Sequence, residues 1–437
     1  MPIPAEILGT LPELLVMADK IESVCARQVL DSRGNPTVEA VVKTAQGSFS
    51  AITPSGASTG IYEAVELRDG EKAYGGLGVQ KAVANVKGPI AKEIAGMDVA
   101  QQKSIDEKML RLDGTTNKAR LGANAIVAVS MAVCRAAAAS MNMPLYEYVA
   151  SMYRPKAQNL LPVPMLNVVN GGKHASGGLA CQELMIQPAY AKSYSSALME
   201  SAEVYHALKK AIKAKFGGTY ANLGDEGGFV PPVKTMAEAL GLFQGIIDGL
   251  GYAEDFVFAT DLAASNFYED GKYTLDGKVF GADGLAEYYL SMQKNQKLLS
   301  IEDGFHEDGF DEFARLTRSK YQVVGDDLLV TNPERIRKAV QMKSCNALLL
   351  KVNKIGSVSE SLEAARTAHG AGWNVVVSHR SGEAEDSFIA DFAVGIGAGQ
   401  IKTGAPARGE RNCKYNQLLR IEEELGSGAR YRNPYAN

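Results

Sequence analysis

The sequence predicts an α/β protein in which a (β/α) barrel follows a mixed N-terminal region. Short β-branched runs recur from residue 256 onward, most of them roughly 25 residues apart, which is the period of a strand–helix unit. Each run ends in a charged residue, and a proline-rich break over residues 154–166 precedes this part of the chain. The length of 437 residues fits a small domain plus a barrel of about 250 residues.

The N-terminal region mixes both kinds of secondary structure. Residues 35–52 alternate in a strand-like way around a glycine turn, and helical patterns follow from about residue 80 to 141. The apolar run over residues 125–134 is too short to span a bilayer and predicts a buried helix. We therefore expect a domain boundary near residues 150–160.

The charged residues at the strand ends indicate where a functional site would lie. In a (β/α) barrel all strands point the same way, so their C-terminal ends meet at one mouth. The alternative is a doubly wound open sheet, in which some of these charges only cap strands. The charged residues that end the runs are Asp261, Glu302, Asp303, Asp326, Asp327, Lys351, His379, Arg380 and Lys402.

Three of these acids predict a metal site. Asp261, Glu302 and Asp326 would repel one another in a low-dielectric pocket unless they were protonated or neutralised by a cation. Their ligand atoms are all oxygens, which suits Mg²⁺. Any one of these acids alone would be better explained as a surface charge or an ion pair.

Two lysines face these acids in the predicted barrel. Lys351 follows an apolar run, and burial together with the positive charge of Lys402 would lower its pKa and make it a general base. The alternative, which the sequence leaves open, is a lysine held in an ion pair with one of the acids.

Further polar groups lie in short motifs. The SHRS motif, Ser378–Ser381, offers an arginine fork and hydroxyls that suit a phosphate, although a structural arginine is the alternative. GDEGGF places Glu226 in a glycine-rich loop that could also be a plain turn. Two other glycine-rich loops carry Ser58 and His174 and predict mobile lids, or simply flexible segments.

Composition excludes several classes of protein. The net charge of −4 gives no field that would favour nucleic acid, and no run suggests a membrane span. The five scattered cysteines lack a C-x-x-C motif, which favours a reducing, cytoplasmic location. The first twenty residues have the features of neither a signal peptide nor a transit peptide.

Many motifs, in order and over nearly the whole chain, resemble the enolase family. The motifs that carry the resemblance are LDSRGNPTVE, PSGASTG, LGANAI, NVVNGGKHA, CQELMI, GDEGGF, SIED, GDDLLVTNP, LLLKVN, SHRSGE, IKTGAPAR and KYNQLLRIEEEL. The resemblance implies a glycolytic lyase that reversibly dehydrates 2-phospho-D-glycerate to phosphoenolpyruvate. It also implies an N-terminal extension over 1–20, a small α+β capping domain over 21–150, a barrel domain with an irregular first part over 151–437, and a homodimer.

The resemblance also implies residue roles. Lys351 resembles the base that removes the C2 proton, and Glu226, with Glu183, resembles the acid that helps the 3-hydroxyl leave. Two Mg²⁺ ions would stabilise the enediolate, the first held by Asp261, Glu302 and Asp326 and the second by Ser58. Lys402, His379 and His174 complete the implied catalytic set. The implied substrate-binding residues are His174, Glu183, Glu302, Asp326, Ser378, His379, Arg380, Ser381 and Lys402.

The chain departs from the family pattern at four places, Asn266, Gly304, Lys354 and Gly409. None replaces an implied catalytic group, so we expect them to affect loops, rate or oligomer contacts more than the reaction. Two alternative functions are a dehydratase that acts on a sugar acid and a non-catalytic paralogue. The SHRS motif and the lysine pair argue against the first, and the presence of every implied ligand and of the base argues against the second.

Overall fold

The computed structural model describes residues 19–56, 60–153, 159–175 and 179–436. The chain begins there with an antiparallel sheet in the order β1–β2–β3. Val24 and Ala26 alternate with exposed neighbours in β1, as expected for a strand with one buried face. The strands are β1 Ser23–Leu30, β2 Pro36–Thr44 and β3 Gly47–Ile52.

Five helices follow the N-terminal sheet, and the fourth packs on β2 and β3. This helix, α4, is the buried helix expected from the sequence. It is the one helix among the described residues that is long and apolar enough to cross a membrane, and 83% of that span is buried inside the protein. The helices are α1 Gln80–Asn85, α2 Ala91–Ile94, α3 Gln102–Asp113, α4 Ala123–Ser140 and α5 Leu145–Tyr153.

The rest of the described chain forms a closed eight-stranded barrel, so the predicted barrel is confirmed and the open sheet is excluded. The strand order is β11–β12–β13–β14–β15–β5–β6–β7. These strands are β5 Val163–Asn170, β6 Glu183–Gln187, β7 Val257–Asp261, β11 Leu298–Glu302, β12 Gln322–Gly325, β13 Ala347–Leu350, β14 Asn374–Ser378 and β15 Gly399–Lys402.

The first part of the barrel is irregular, as the resemblance implied. Strand β6 runs antiparallel to both β5 and β7, whereas the other neighbouring pairs are parallel. The surrounding helices are α6 Tyr194–Phe216, α7 Met236–Leu250, α8 Ala282–Gln296, α9 Phe310–Leu316, α10 Pro333–Met342, α11 Val352–Ile355, α12 Val358–Gly370, α13 Phe388–Ile396 and α14 Gly409–Leu425. Short strands complete the fold, namely β4 Leu160–Leu161, β8 Tyr268–Glu269, β9 Lys272–Leu275, β10 Lys278–Phe280 and β16 Arg430–Tyr431.

Apolar side chains fill the inside of the barrel. Seven fully buried residues from six strands form a separate cluster there, and it is packed rather than open. The polar site therefore lies only at the strand ends. The cluster comprises Met165, Met185, Ala259, Val324, Ala347, Leu349 and Val376.

A buried acid outside the barrel gives a pH-dependent prediction. Burial raises the pKa of Asp391 in α13 to about 6, although Gln417 and Arg135 oppose the shift. The folded state therefore binds this proton more tightly than the unfolded chain, and its contribution to stability falls as pH rises from about 4 through 6. We expect Asp391→Asn to raise the free energy of unfolding at pH 8 by about 1–3 kcal/mol, and to raise it little at pH 4.

Asp386 is the matched control for this measurement. Its carboxylate lies 2.7 Å from Arg135. Burial alone would raise the pKa of Asp386, but the charge of Arg135 outweighs burial and lowers it. Asp386→Asn should therefore lose stability at pH 8. Denaturant titrations at both pH values would contradict this account if both variants shifted in the same direction.

Candidate active site

The charged strand ends meet around one cavity of ≈ 280 Å³. Asp261, Glu302 and Lys402 are the last residues of β7, β11 and β15, whereas Asp326 and Lys351 directly follow β12 and β13. The ladder register brings these ends together, because Glu302 pairs with Asp261 on the neighbouring strand.

Lys402 lies at the centre of three buried acids. Its Nζ lies 3.0 Å from Asp261 Oδ2, 2.8 Å from both oxygens of Glu302 and 3.0 Å from Glu183 Oε2. Burial alone would lower the pKa of Lys402, but these three carboxylates outweigh it and raise the pKa well above its usual value. The lysine is therefore a fixed positive charge.

Burial raises the pKa of two of these acids, whereas burial alone would lower the pKa of the lysine. Burial and the neighbouring Glu226 raise the pKa of Glu183 well above its usual range, against the charge of Lys402. Burial and Asp261 do the same for the pKa of Glu302. Both carboxyl groups thus hold protons tightly unless further positive charge is supplied.

Asp326 lies between two other lysines. Lys351 Nζ is 2.6 Å from Oδ2 of Asp326, and Lys354 Nζ is 2.8 Å from Oδ1. Burial would raise the pKa of Asp326, but the two ammonium groups outweigh it and lower the pKa. Of the two possibilities that the sequence left open for Lys351, this structure contains the ion pair.

Lys354, one of the four departures from the family pattern, lies inside the site. Besides Asp326 it contacts Asp327 at 2.8 Å and Glu63 at 3.2 Å, and its side chain is 1% exposed. Glu63 belongs to the N-terminal region and also binds Arg380 at 3.0 Å. The expected effect of this departure, on loops, rate or oligomer contacts more than on the reaction, stays a prediction, and its side chain also links the N-terminal region to the barrel.

Asp303 supports the loop that carries Asp326. Its two oxygens accept backbone N–H groups of Asp326 and Asp327 at 2.9 and 2.7 Å. Burial and the neighbouring Asp327 and Asp326 raise the pKa of Asp303 well above its usual value. Among the described residues these three acids also form a group whose oxygens lie within 4.8 Å of one another.

Glu226 and His379 lie together on the cavity wall. Glu226 Oε2 accepts a hydrogen bond from Asn167 at 2.9 Å and lies 3.4 Å from His379 Nε2. Burial, assisted by Arg411, lowers the pKa of His379 to about 3, although Glu226 opposes the shift. His379 is therefore neutral at physiological pH.

The SHRS motif begins at the last residue of β14 and lines the same cavity. Ser378 and Ser381 are buried, and Arg380 binds Asn353 as well as Glu63. Two predicted site groups, Ser58 and the side chain of His174, lie outside the part of the chain that the structure describes. Most of the N-terminal extension over 1–20 also lies outside this part.

The donor set fits a hard divalent cation. Asp261, Glu302 and Asp326 offer only oxygen atoms, and each lies against an ammonium group that supplies the positive charge such a cluster requires. The chemistry of these donors therefore suits Mg²⁺ better than a soft metal.

Sequence reasoning assigned no role in this site to four residues, Glu63, Asp303, Lys354 and Arg411, although it placed Asp303 among the charged strand ends. Lys354 was visible only as a departure from the family pattern. Glu63 and Arg411 act through residues more than a hundred positions away or through backbone groups, and neither leaves a sequence motif of its own.

Fold and site together define a barrel enzyme whose acids and lysines gather at the C-terminal ends of the strands. Comparison with known proteins gives the family. A profile of the enolase N-terminal domain matches residues 21–149, and one of the enolase C-terminal TIM barrel domain matches residues 158–436. The chain belongs to the enolase family.

Curated enolases are similar in sequence to this chain over nearly its full length. An enolase of Methanocaldococcus jannaschii is 53% identical over 422 residues, one of Eimeria tenella 54% over 440, and one of Thermococcus gammatolerans 52% over 428. Each alignment covers 95% of this chain and 99% of the relative. The chain is thus a glycolytic lyase, a phosphopyruvate hydratase that dehydrates the phosphorylated small molecule 2-phospho-D-glycerate, and its family membership implies a metal cofactor.

Proposed function

We propose that Lys351 removes the C2 proton of 2-phospho-D-glycerate and that Glu226, supported by Glu183, protonates the departing 3-hydroxyl. The observation that carries this proposal is that all three residues line one cavity with Asp261 and Asp326, two of the predicted metal ligands. To accept a proton, Lys351 must be an uncharged amine, so it must first release its own proton and with it the ion pair with Asp326.

The reaction builds negative charge that the chain must neutralise. A proton next to a carboxylate is weakly acidic, because its removal places a second charge on the carboxylate oxygens. Lys402 is a fixed, buried cation in the cavity, so it stabilises that charge as it develops. Hydroxide is a poor leaving group, and Glu226 must therefore donate a proton as the C–O bond breaks.

Two Mg²⁺ ions complete the proposed site. Asp261, Glu302 and Asp326 would hold the first ion, and Ser58 would contribute to the second. When bound, such ions supply Lewis-acid stabilisation of the developing negative charge. The carboxylates' present contacts with Lys402 and Lys351 support this proposal, because both are cations within 3.0 Å of the same oxygens.

The phosphate side of the cavity is assigned to the SHRS motif. Arg380 and Ser381 would bind the phosphate, with Ser378, His379 and His174 as further substrate contacts. Arg380 already binds one carboxylate, Glu63, at 3.0 Å, which indicates that its fork accepts an oxyanion in this position.

We also propose that the chain is a cytoplasmic homodimer, with an N-terminal extension over 1–20, a capping domain over 21–150 and a barrel domain over 151–437. The family resemblance supports the dimer and the boundaries, and the scattered cysteines support the location.

An ultraviolet assay tests the proposed metal dependence. Phosphoenolpyruvate absorbs in the ultraviolet and 2-phosphoglycerate does not. We expect absorbance to rise when Mg²⁺ is present, to stop with EDTA and to recover with excess Mg²⁺, because the buried acids need that cation. Heat-denatured protein is the control, and an EDTA-resistant rate would contradict the metal proposal.

A further inference from the structure

Arg411, near the start of α14, ties two loops of the site together. Its side chain is fully buried. Nη1 lies 2.6 Å from His379 Nδ1 and donates to Arg380 O at 2.7 Å, whereas Nη2 donates to Ser381 O at 2.6 Å and Asp225 O at 3.0 Å. Its position is therefore fixed by the SHRS motif and by the loop that carries Glu226.

The contact with His379 determines where the imidazole proton lies. A guanidinium group has only donors, so Nδ1 of His379 must accept at 2.6 Å. A proton on Nδ1, in either the other neutral tautomer or the imidazolium, would place donor against donor. We propose that Arg411 is a positioning residue that holds His379 as the neutral tautomer protonated on Nε2.

This tautomer presents a donor to the cavity. Nε2 lies 3.4 Å from Glu226 Oε2, longer than a usual N–H···O hydrogen bond, so an acceptor on a bound ligand can take this N–H while Arg411 keeps the ring in place. The charged groups that face His379 are Glu226 from the GDEGGF loop, Arg411 from α14 and Lys402 from β15. Two of these three are cations, and they oppose a positive charge on the ring.

The catalytic consequence rests on the proposed role of Glu226. A cationic His379 beside Glu226 would favour the ionised carboxylate, which cannot donate a proton. Because Arg411 keeps His379 neutral, no further positive charge is placed beside Glu226. The ring still presents an N–H donor to the cavity. The tautomer itself does not depend on which reaction the site carries out.

Nitrogen-15 NMR of the histidine rings of the full-length protein tests the proposal directly. The chain has five histidines, and His379→Gln identifies the signal of interest by its loss. In the unmodified protein we expect Nε2 of His379 to carry the proton, Nδ1 to have none, and neither signal to move between pH 5 and 9, because its pKa of about 3 lies below that window.

Three variants distinguish a positioning role of Arg411 from a packing role: Arg411→Gln, Arg411→Lys and Lys414→Gln. Arg411→Gln removes the cation, so His379 should titrate with a pKa closer to 6.5, and the acid limb of the kcat profile should move up with it. Arg411→Lys keeps a charged donor and should restore the original tautomer. Lys414 is a buried cation on the same helix that bonds Ala384 O and Glu410 O, so Lys414→Gln should leave the His379 signals unchanged.

A protonated Nδ1, or titration of His379 between pH 5 and 9 in the unmodified protein, would overturn the proposal. So would Arg411→Gln with an unchanged His379 spectrum and pH profile, even if its activity were lower, because that pattern indicates packing alone. The spectra require no turnover. If the proposed residue roles were wrong, the kinetic measurements would show it, and the spectra would still report the tautomer of His379.

Discussion

Replacing Lys351 with alanine should lower kcat by about 10²–10⁴-fold, the usual contribution of a positioned general base. The exchange of the C2 proton with D₂O should also disappear. Proton NMR of 2-phosphoglycerate measures this exchange. Ligand binding should persist, because the groups assigned to the phosphate and carboxylate are unchanged. The effect is large because the two other buried lysines of the cavity, Lys402 and Lys354, are each held by three carboxylates.

Lys118→Ala is the matched control for this variant. Lys118 is also a buried lysine in an ion pair, with Glu360 at 2.9 Å, but it lies outside the cavity. The Lys118→Ala protein should be less stable but should still exchange the C2 proton of the substrate. If Lys351→Ala retained C2 exchange at the rate of the Lys118→Ala protein, the base would be wrongly assigned.

Replacing Lys402 with methionine should destabilise the metal-free protein by roughly 3–5 kcal/mol, the cost of leaving buried charges unpaired. Asp261, Glu302 and Glu183 would lose their common counter-ion, and the pKa values of Glu302 and Glu183 would rise further. The loss should therefore be greatest at high pH and shrink as pH falls and the carboxyl groups take up protons.

Addition of Mg²⁺ should restore part of this stability, because a cation that binds only the folded state stabilises it by mass action. The double variant Lys402→Met/Glu302→Gln is the matched control, since it removes one carboxylate together with the lysine and should lose less than the single variant. Urea titrations at pH 6 and 9, with EDTA or Mg²⁺, make the measurement. An equal loss at both pH values, unchanged by Mg²⁺, would contradict the assigned contacts.

The barrel could be predicted from the sequence because its strands are short, buried and regularly spaced. Runs such as those ending at Asp326 and Lys351 have one polar end each, and that end becomes the mouth once the strands are parallel. The reversed direction of β6 could not be predicted from pattern, because its three apolar residues have a polar residue at each end and the pattern is the same in either direction.

The site could be predicted where its residues are strand ends or lie in a motif such as GDEGGF, which carries Glu226. Glu63 and Arg411, and the partners of Asp303, could not be predicted, because these contacts are made to backbone groups or across the two regions of the chain. Asp303 directly follows Glu302 in the sequence, yet it binds the N–H groups of the Asp326 loop instead of facing the same partner as Glu302.

The central claim is that acids from separate strands share a divalent cation beside Lys351 and Lys402. Anomalous diffraction at the manganese edge tests it most directly, on crystals grown with Mn²⁺, which prefers the same oxygen ligands as Mg²⁺. We predict an anomalous peak within coordination distance of Asp261, Glu302 and Asp326, with Lys402 Nζ moved away from Asp261 and Glu302. A peak among Asp303, Asp326 and Asp327 instead, or no peak while Lys402 keeps its present contacts, would contradict it.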